Sequence, residues 1–259
     1  LGVFNKLKNQ LDGPELVSID GILGKIRQKK EEGEIALHQE AADIADRAFQ
    51  HLLEFVEPGM AERDIALELE FFMRKGGAES VSFPPIVAVG DRSAKPHAHP
   101  GDTKLEPDQL LLVDMGAKYD GYCSDLTRTV YLGESTSKVG EIYNTVLEAQ
   151  LAGLSELGPG VSGKHVHEKA AEVIENAGYG SYFNHGLGHG VGLEVHEGPR
   201  LSETSEDTLE PGNIVTVEPG IYLPDWGGVR IEDMVRITED GYERFSHAPK
   251  EEIINPLDR

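Results

Sequence analysis

Cysteine is nearly absent: Cys123 stands alone in 259 residues, which excludes an internal disulfide framework and suits a reducing, cytoplasmic compartment. No apolar run approaches the roughly 20 residues that span a bilayer, and no secretory pattern is visible at the start. Positive charge is scarce, with 24 Lys and Arg against 46 Asp and Glu and a formal net charge of −22. A field of that sign repels nucleic acid and anionic membranes, so neither is expected as a partner. The acids are spread along the chain rather than gathered in a tail, which argues against a disordered acidic segment. An ordinary acidic cytoplasmic protein and one adapted to high salt both fit. Several catalytic signatures are also missing. There is no P-loop, no HExxH and no Ser–His–Asp order, and Val191 occupies the third glycine position of a dinucleotide fingerprint begun at Gly186.

The hydrophobic fraction of 39% is ordinary for a globular chain. Residues 1–22 read as a short amphipathic piece, a turn at Asp12-Gly13-Pro14 and a strand-like stretch over 15–19. A long helical pattern runs from about 23 to 56 and is ended by Glu57-Pro58-Gly59. A second helix is predicted over 62–75, then a strand over 84–89, a polar loop with His97 and His99, and apolar strands over 110–116 and 122–132. Helices over 137–157 and 164–177 follow, then a glycine-rich stretch and strands over 214–218, 229–237 and 243–247. The order helix, helix, strands occurs twice, which suggests two similar halves, about 24–135 and 136–250. Strands in runs rather than alternating with single helices predict an α+β fold with an antiparallel sheet.

Acids appear where strands should be apolar. Asp114 closes Leu110-Leu111-Leu112-Val113, and Asp125 lies in the next strand. A hairpin centred between Tyr119 and Asp120 puts the two directly opposite; one centred on Asp120-Gly121 makes them diagonal neighbours. Glu218 ends Ile214-Val215-Thr216-Val217, and a hairpin centred on Asp225 sets it opposite Glu232. Like charges so placed are destabilising. Buried carboxylates need protonation or a cation. Two divalent ions balance four carboxylates, whereas a solvated pair or a salt bridge to Arg128 or Arg230 explains one hairpin but not both. Nearby, His185, His189 and His196 fall within twelve residues rich in glycine, a segment suited to close approach by other groups.

Together these pieces resemble the pita-bread metallopeptidases, the family of methionine aminopeptidase, aminopeptidase P and prolidase. Asp114-x-Gly116 through Gly121-Tyr122-x-Ser124-Asp125-x-Thr127-Arg128-Thr129 is similar to the paired-aspartate hairpin. His185 through Glu197 resembles the histidine segment of the prolidase and Xaa-Pro peptidase branch. Glu218-Pro219-Gly220-Ile221-Tyr222 and Gly228-Val229-Arg230-Ile231-Glu232-Asp233 are similar to the two glutamate motifs. The resemblance implies two pseudo-symmetric helix-helix-strand halves around a curved antiparallel sheet. It implies that Asp114 chelates one metal, Asp125 and Glu232 bridge both, and His189 and Glu218 complete the second. Glu218, His196 and His97 are then catalytic, while His185, His196, Tyr222 and Arg230 line the substrate site.

An oxygen-rich site with one imidazole suits Mn(II) first, with Co(II), Fe(II) or Zn(II) as alternatives. The implied reaction is hydrolysis after an N-terminal residue of small Xaa-Pro peptides, with Arg230 meeting the free carboxylate of a dipeptide. A homodimer is left open. Residues 23–259 are expected to form the catalytic domain and 1–22 a linker or remnant of a preceding one. The rivals are a methionine aminopeptidase, a metal-free pita-bread binding protein and a creatinase-like hydrolase.

Overall fold

The computed structural model describes residues 2–11, 16–17 and 21–258. The turn expected at 12–14 and most of the strand-like stretch at 15–19 lie outside the described residues. The first helices are α1 (Gly2–Gln10), α2 (Ile22–Gln28) and α3 (Glu32–Phe55). The single helix predicted over 23–56 is therefore two. Lys29 is extended, and the Lys30 N–H donates to the Gly212 carbonyl at 2.9 Å instead of to its own helix. Glu31 then restarts the helix through a capping box with Glu34. The remaining helices are α4 (Glu62–Lys75), α5 (Ser137–Ser155) and α6 (Gly163–Asn176). Thr136 and Ser162 cap the last two by accepting from the Val139 and His165 N–H groups.

The strands are β1 (Ser80–Val81), β2 (Ile86–Val89), β3 (Leu110–Met115), β4 (Ala117–Tyr119), β5 (Tyr122–Cys123) and β6 (Leu126–Tyr131) in the first half. The second half holds β7 (Gly188–Gly190), β8 (Glu197–Leu201), β9 (Ile214–Val217), β10 (Gly220–Leu223), β11 (Gly227–Arg230), β12 (Asp233–Ile237) and β13 (Tyr242–Arg244). Every described pairing is antiparallel, in the orders β2-β3-β6, β13-β12-β9-β7-β8, β1-β4-β5 and β10-β11. The fold is α+β, as the sequence predicts. Each half buries its own core. One gathers Phe49, Leu52, Ile65 and Leu69 of α3 and α4 under β2, β3 and β6, and the other gathers Ile142, Val146, Val166 and Ala170 of α5 and α6 under β9 and β12. No helix among the described residues is long and apolar enough to cross a membrane.

Register decides what the sheet presents. In the first hairpin Asp114 faces Thr127 and Lys118 faces Cys123, so Asp125 is the diagonal neighbour of Asp114. The turn is Asp120-Gly121, both with positive φ (45° and 88°), the geometry of a tight two-residue hairpin. Of the two centres read from sequence, the second is the one found. In the second hairpin Gly220 faces Arg230 and, further along, Val217 faces Asp233, which leaves Glu218 opposite Glu232 as predicted. The long strands predicted over 122–132 and 229–237 are each interrupted, at Ser124-Asp125 and at Ile231-Glu232. The breaks fall on the acids themselves.

Candidate metal centre

The two hairpins meet at the breaks. The Glu232 N–H donates to the Thr127 carbonyl at 3.1 Å, the Ile231 N–H to Pro219, and the Glu218 N–H to Leu187 of the glycine-rich segment. These bonds replace the missing ladder and turn the side chains of Asp125, Glu218 and Glu232 into a common cleft of about 410 Å³, with Asp114 and His189 on the same lining. β7 reaches the cleft because it has almost no side chains: a Cβ on Gly188 would lie 2.0 Å from the Thr216 carbonyl oxygen, and one on Gly190 2.0 Å from that of Gly198. His189 between them is carried up against the carboxylates.

Asp125, His189 and Glu232 bring ligand atoms within 4.8 Å of one another. Glu218 Oε1 lies 3.2 Å and Asp125 Oδ2 3.6 Å from His189 Nε2. Asp114 is drawn aside to Arg230, whose Nη2 donates to its Oδ2 at 2.6 Å. Burial, reinforced by the neighbouring carboxylates, pushes Asp125 and Glu232 well above the ordinary carboxylate range, and burial raises Asp114 as well. Burial also works against ionised Glu218, but the bond and charge of His189, with His185 and Arg230, outweigh it and bring that acid down to about 2. His189 is correspondingly raised despite its burial.

The donor set fits a divalent cation on three counts. Asp114 Oδ1 and Glu232 Oε1 are buried with no hydrogen-bond partner. The facing carboxylates repel one another without a counter-ion. The His189 Nδ1–H donates to the Gly190 carbonyl at 3.1 Å, which turns Nε2 toward the acids, where a cation would take the place of its proton.

The other residues singled out from sequence divide into groups. The His196 ring packs edge-on to His189 with centroids 4.3 Å apart, and burial lowers its pKa. His97 is exposed at the cleft rim. His185, Tyr222 and Arg230 form a chain: Arg230 Nη1 donates to the Tyr222 hydroxyl, which donates to His185 Nε2, both at 2.9 Å. The Arg230 guanidinium is buried and bonded through its three nitrogens to Thr127, Tyr222 and Asp114. Three of its five N–H groups are engaged in this way and the group is buried, which favours a more exposed arginine over Arg230 as the partner of a dipeptide's carboxylate. Arg200, exposed on the same cleft, is the arginine with access to solvent and was not singled out.

Two threonines were also missed. Thr127 Oγ1 donates to Glu232 Oε2 at 2.7 Å, and Thr216 Oγ1 donates to Glu218 Oε1 at 3.1 Å. Each lies two residues from a site acid, and period-2 spacing was the available signal.

Comparison with known proteins agrees with this geometry. The profile of metallopeptidase family M24 matches residues 36–239. An Xaa-Pro dipeptidase of Pyrococcus horikoshii is 42% identical over 252 residues, covering 97% of this chain and 72% of that protein. The solved Xaa-Pro dipeptidase from Bacillus anthracis superposes with a TM-score of 0.94 at 47% identity, covering 98% of this chain and 71% of its own. An X-Pro aminopeptidase from Thermotoga maritima gives 0.95 at 41% identity, with 98% and 71% covered.

Proposed function

The chain belongs to metallopeptidase family M24 and is a peptidase of pita-bread fold, and from that premise we propose that it releases the N-terminal residue from Xaa-Pro dipeptides and short Xaa-Pro peptides. One observation carries the reading: Asp125, His189 and Glu232 converge, with an unpartnered Glu232 oxygen, on the floor of an open cleft. Asp114, Asp125, Glu218, Glu232 and His189 would hold two divalent ions, Mn(II) first among them. Bound there, such ions polarise the scissile carbonyl and lower the pKa of a water.

The remaining work belongs to the chain. Thr216 Oγ1 donates to Glu218 Oε1, which orients the carboxylate to take a proton from water and pass it to the departing proline nitrogen. His196 donates an N–H toward the oxygen that gains charge, and His97 closes the rim above it. Proline supplies no amide N–H, so the cleft owes it shape rather than a hydrogen bond; Phe83, Ile86, Pro96 and Val195 form an apolar wall for the ring. Arg200 at the mouth is placed for the free carboxylate of a dipeptide. Residues 23–259 constitute the catalytic unit in this reading, and 1–22 a linker.

The test is a peptide panel on chelated and Mn(II)-reloaded protein. Ala-Pro should be cleaved with Mn(II) and not after chelation, Ala-Pro-Ala more slowly, and Ala-Ala and Met-Ala-Ser poorly. Equal turnover of Ala-Ala and Ala-Pro sinks the proline claim. A preference for Ala-Pro-Ala assigns the longer substrate instead, and full activity in metal-free protein removes the metal from the mechanism.

A further inference from the structure

Outside the carboxylate centre, a second buried charged group goes unused by this mechanism. The Lys30 side chain is 1% accessible and the Glu197 side chain 7%, with Nζ 3.6 Å from Oε2 and neither atom hydrogen-bonded. Arg27 Nη2 donates to the other oxygen, Oε1, and Arg27 Nη1 stands 3.6 Å from Glu194. Burying such a group costs desolvation that an apolar pair of the same volume would not incur, so stability alone does not account for it. Burial lowers the Lys30 pKa against the pull of Glu197.

The geometry says what the carboxylate holds. Residues 191–197 fold back on themselves between β7 and β8, and the Glu197 carboxylate fills the interior of that loop. Its Oε1 accepts the Glu194 N–H at 3.1 Å, and a Cβ on Gly192 would lie 2.3 Å from its Oε2. The far side of the loop is tied by the Cys123 N–H to the Gly192 carbonyl and the Val191 N–H to Ile214. The cations stand on a fixed post: the Lys30 N–H bonds Gly212, and Asn213 Nδ2 donates to the Gln28 carbonyl at 3.1 Å. His196 is the residue immediately before this anchor, and its ring meets His189 at the edge of the centre.

We propose that Glu197 is a positioning residue for His196, its carboxylate locked between Lys30 and Arg27 so that the 191–197 loop holds the imidazole over the cleft. The role given to His196 rests on the function proposed above; the anchoring of the loop does not. This explains why two cations, Arg27 in the last turn of α2 and Lys30 in the link to α3, are held against a loop some 170 residues away.

Two measurements test it. Amide hydrogen exchange on metal-free protein reads the loop directly: Glu197→Ala should raise exchange of residues 190–197 by about tenfold or more while the strands of both sheets stay within about twofold. Arg27→Met should act in the same direction and less strongly, because Lys30 remains. Kinetics on Mn(II)-loaded enzyme with Ala-Pro read the consequence: Glu197→Ala should lower kcat about tenfold with KM nearly unchanged. In a His196→Ala background the same change should cost less than about twofold, since a residue acting through His196 has nothing left to act on. Glu197→Gln, which keeps the acceptor for the Glu194 N–H, should recover part of the loss. Unchanged exchange in Glu197→Ala, or a full multiplicative loss on top of His196→Ala, overturns the proposal. If wild-type enzyme does not cleave Ala-Pro, the proposed function fails and the exchange measurement still decides whether Glu197 anchors the loop.

Discussion

Glu232 is pulled two ways: burial beside other acids suits a cation and burdens the metal-free protein. Burial and neighbouring Glu218 and Asp114 raise its folded pKa well above the usual value. For an acid so raised, stability is fully present below the unfolded pKa and is lost as pH climbs through the folded one. Glu232→Gln should therefore stabilise metal-free protein by about 1–3 kcal/mol at pH 8, and by much less at pH 4.5, while abolishing metal uptake and hydrolysis; urea midpoints in chelator at the two pH values check it. Buried His38 carries the opposite sign. It donates from Nδ1 to the Cys123 carbonyl at 2.8 Å, and burial lowers its pKa to about 4. The unfolded chain takes up a proton at His38 below about pH 6.5 and the folded one does not, so stability is intact above 6.5 and lost toward 4. Comparing His38→Gln with wild type at pH 7 and pH 5 should show the variant losing less stability on acidification. The acids were legible because an ionisable group inside an apolar strand contradicts its surroundings. Glu197 was not, since its partners Arg27 and Lys30 lie far away in sequence and only the folded chain brings them together.

At the scale of elements, β7 shows most clearly how a strand can be chosen for what it lacks. Gly188→Ala would drive a Cβ to 2.0 Å from the Thr216 carbonyl oxygen, a backbone atom that cannot step aside without moving β9. We expect a loss of more than about 3 kcal/mol, or failure to fold. Gly158→Ala meets nothing within 4 Å and has no positive φ, so it should change the urea midpoint hardly at all. The glycines marked this segment from sequence as a place of close approach, although nothing local said what approaches. The hairpin registers show the same limit. The second was readable because its turn is bounded by Pro224 and Gly228, with Asp225 in the left-handed region (φ 61°) at the centre. The first left two centres one step apart, and the choice belongs to the Asp120-Gly121 turn, whose positive φ values fix Tyr119 opposite Tyr122. The break between α2 and α3 was invisible because its cause, the Gly212 carbonyl, arrives from the other half of the molecule.

The whole molecule carries 46 acidic against 24 basic side chains, and most of the acids are spread over its surface. The buried centre already places four carboxylates near each other, offset within the protein chiefly by Arg230, so surface repulsion adds to an internal one. Screening should therefore stabilise this protein more than one near neutrality. The Debye length falls from about 30 Å at 0.01 M to about 8 Å at 0.15 M and about 3 Å at 1 M, so nearly all long-range repulsion is gone by a few tenths molar. We expect the melting temperature of chelated protein to climb by about 2–4 °C for each kcal/mol of repulsion relieved as KCl rises from 0.01 to 0.3 M, and then to level off. Chelation matters here, because a divalent ion in the cleft would neutralise charge at the most crowded point and blunt the response. A scan of melting temperature against KCl, with sucrose at matched osmolality as a control for exclusion effects, separates charge screening from solvent effects. A curve still rising steeply into molar KCl would mean that screening is not the cause and that the acidic surface is an adaptation to salt, binding hydrated cations that the folded state needs.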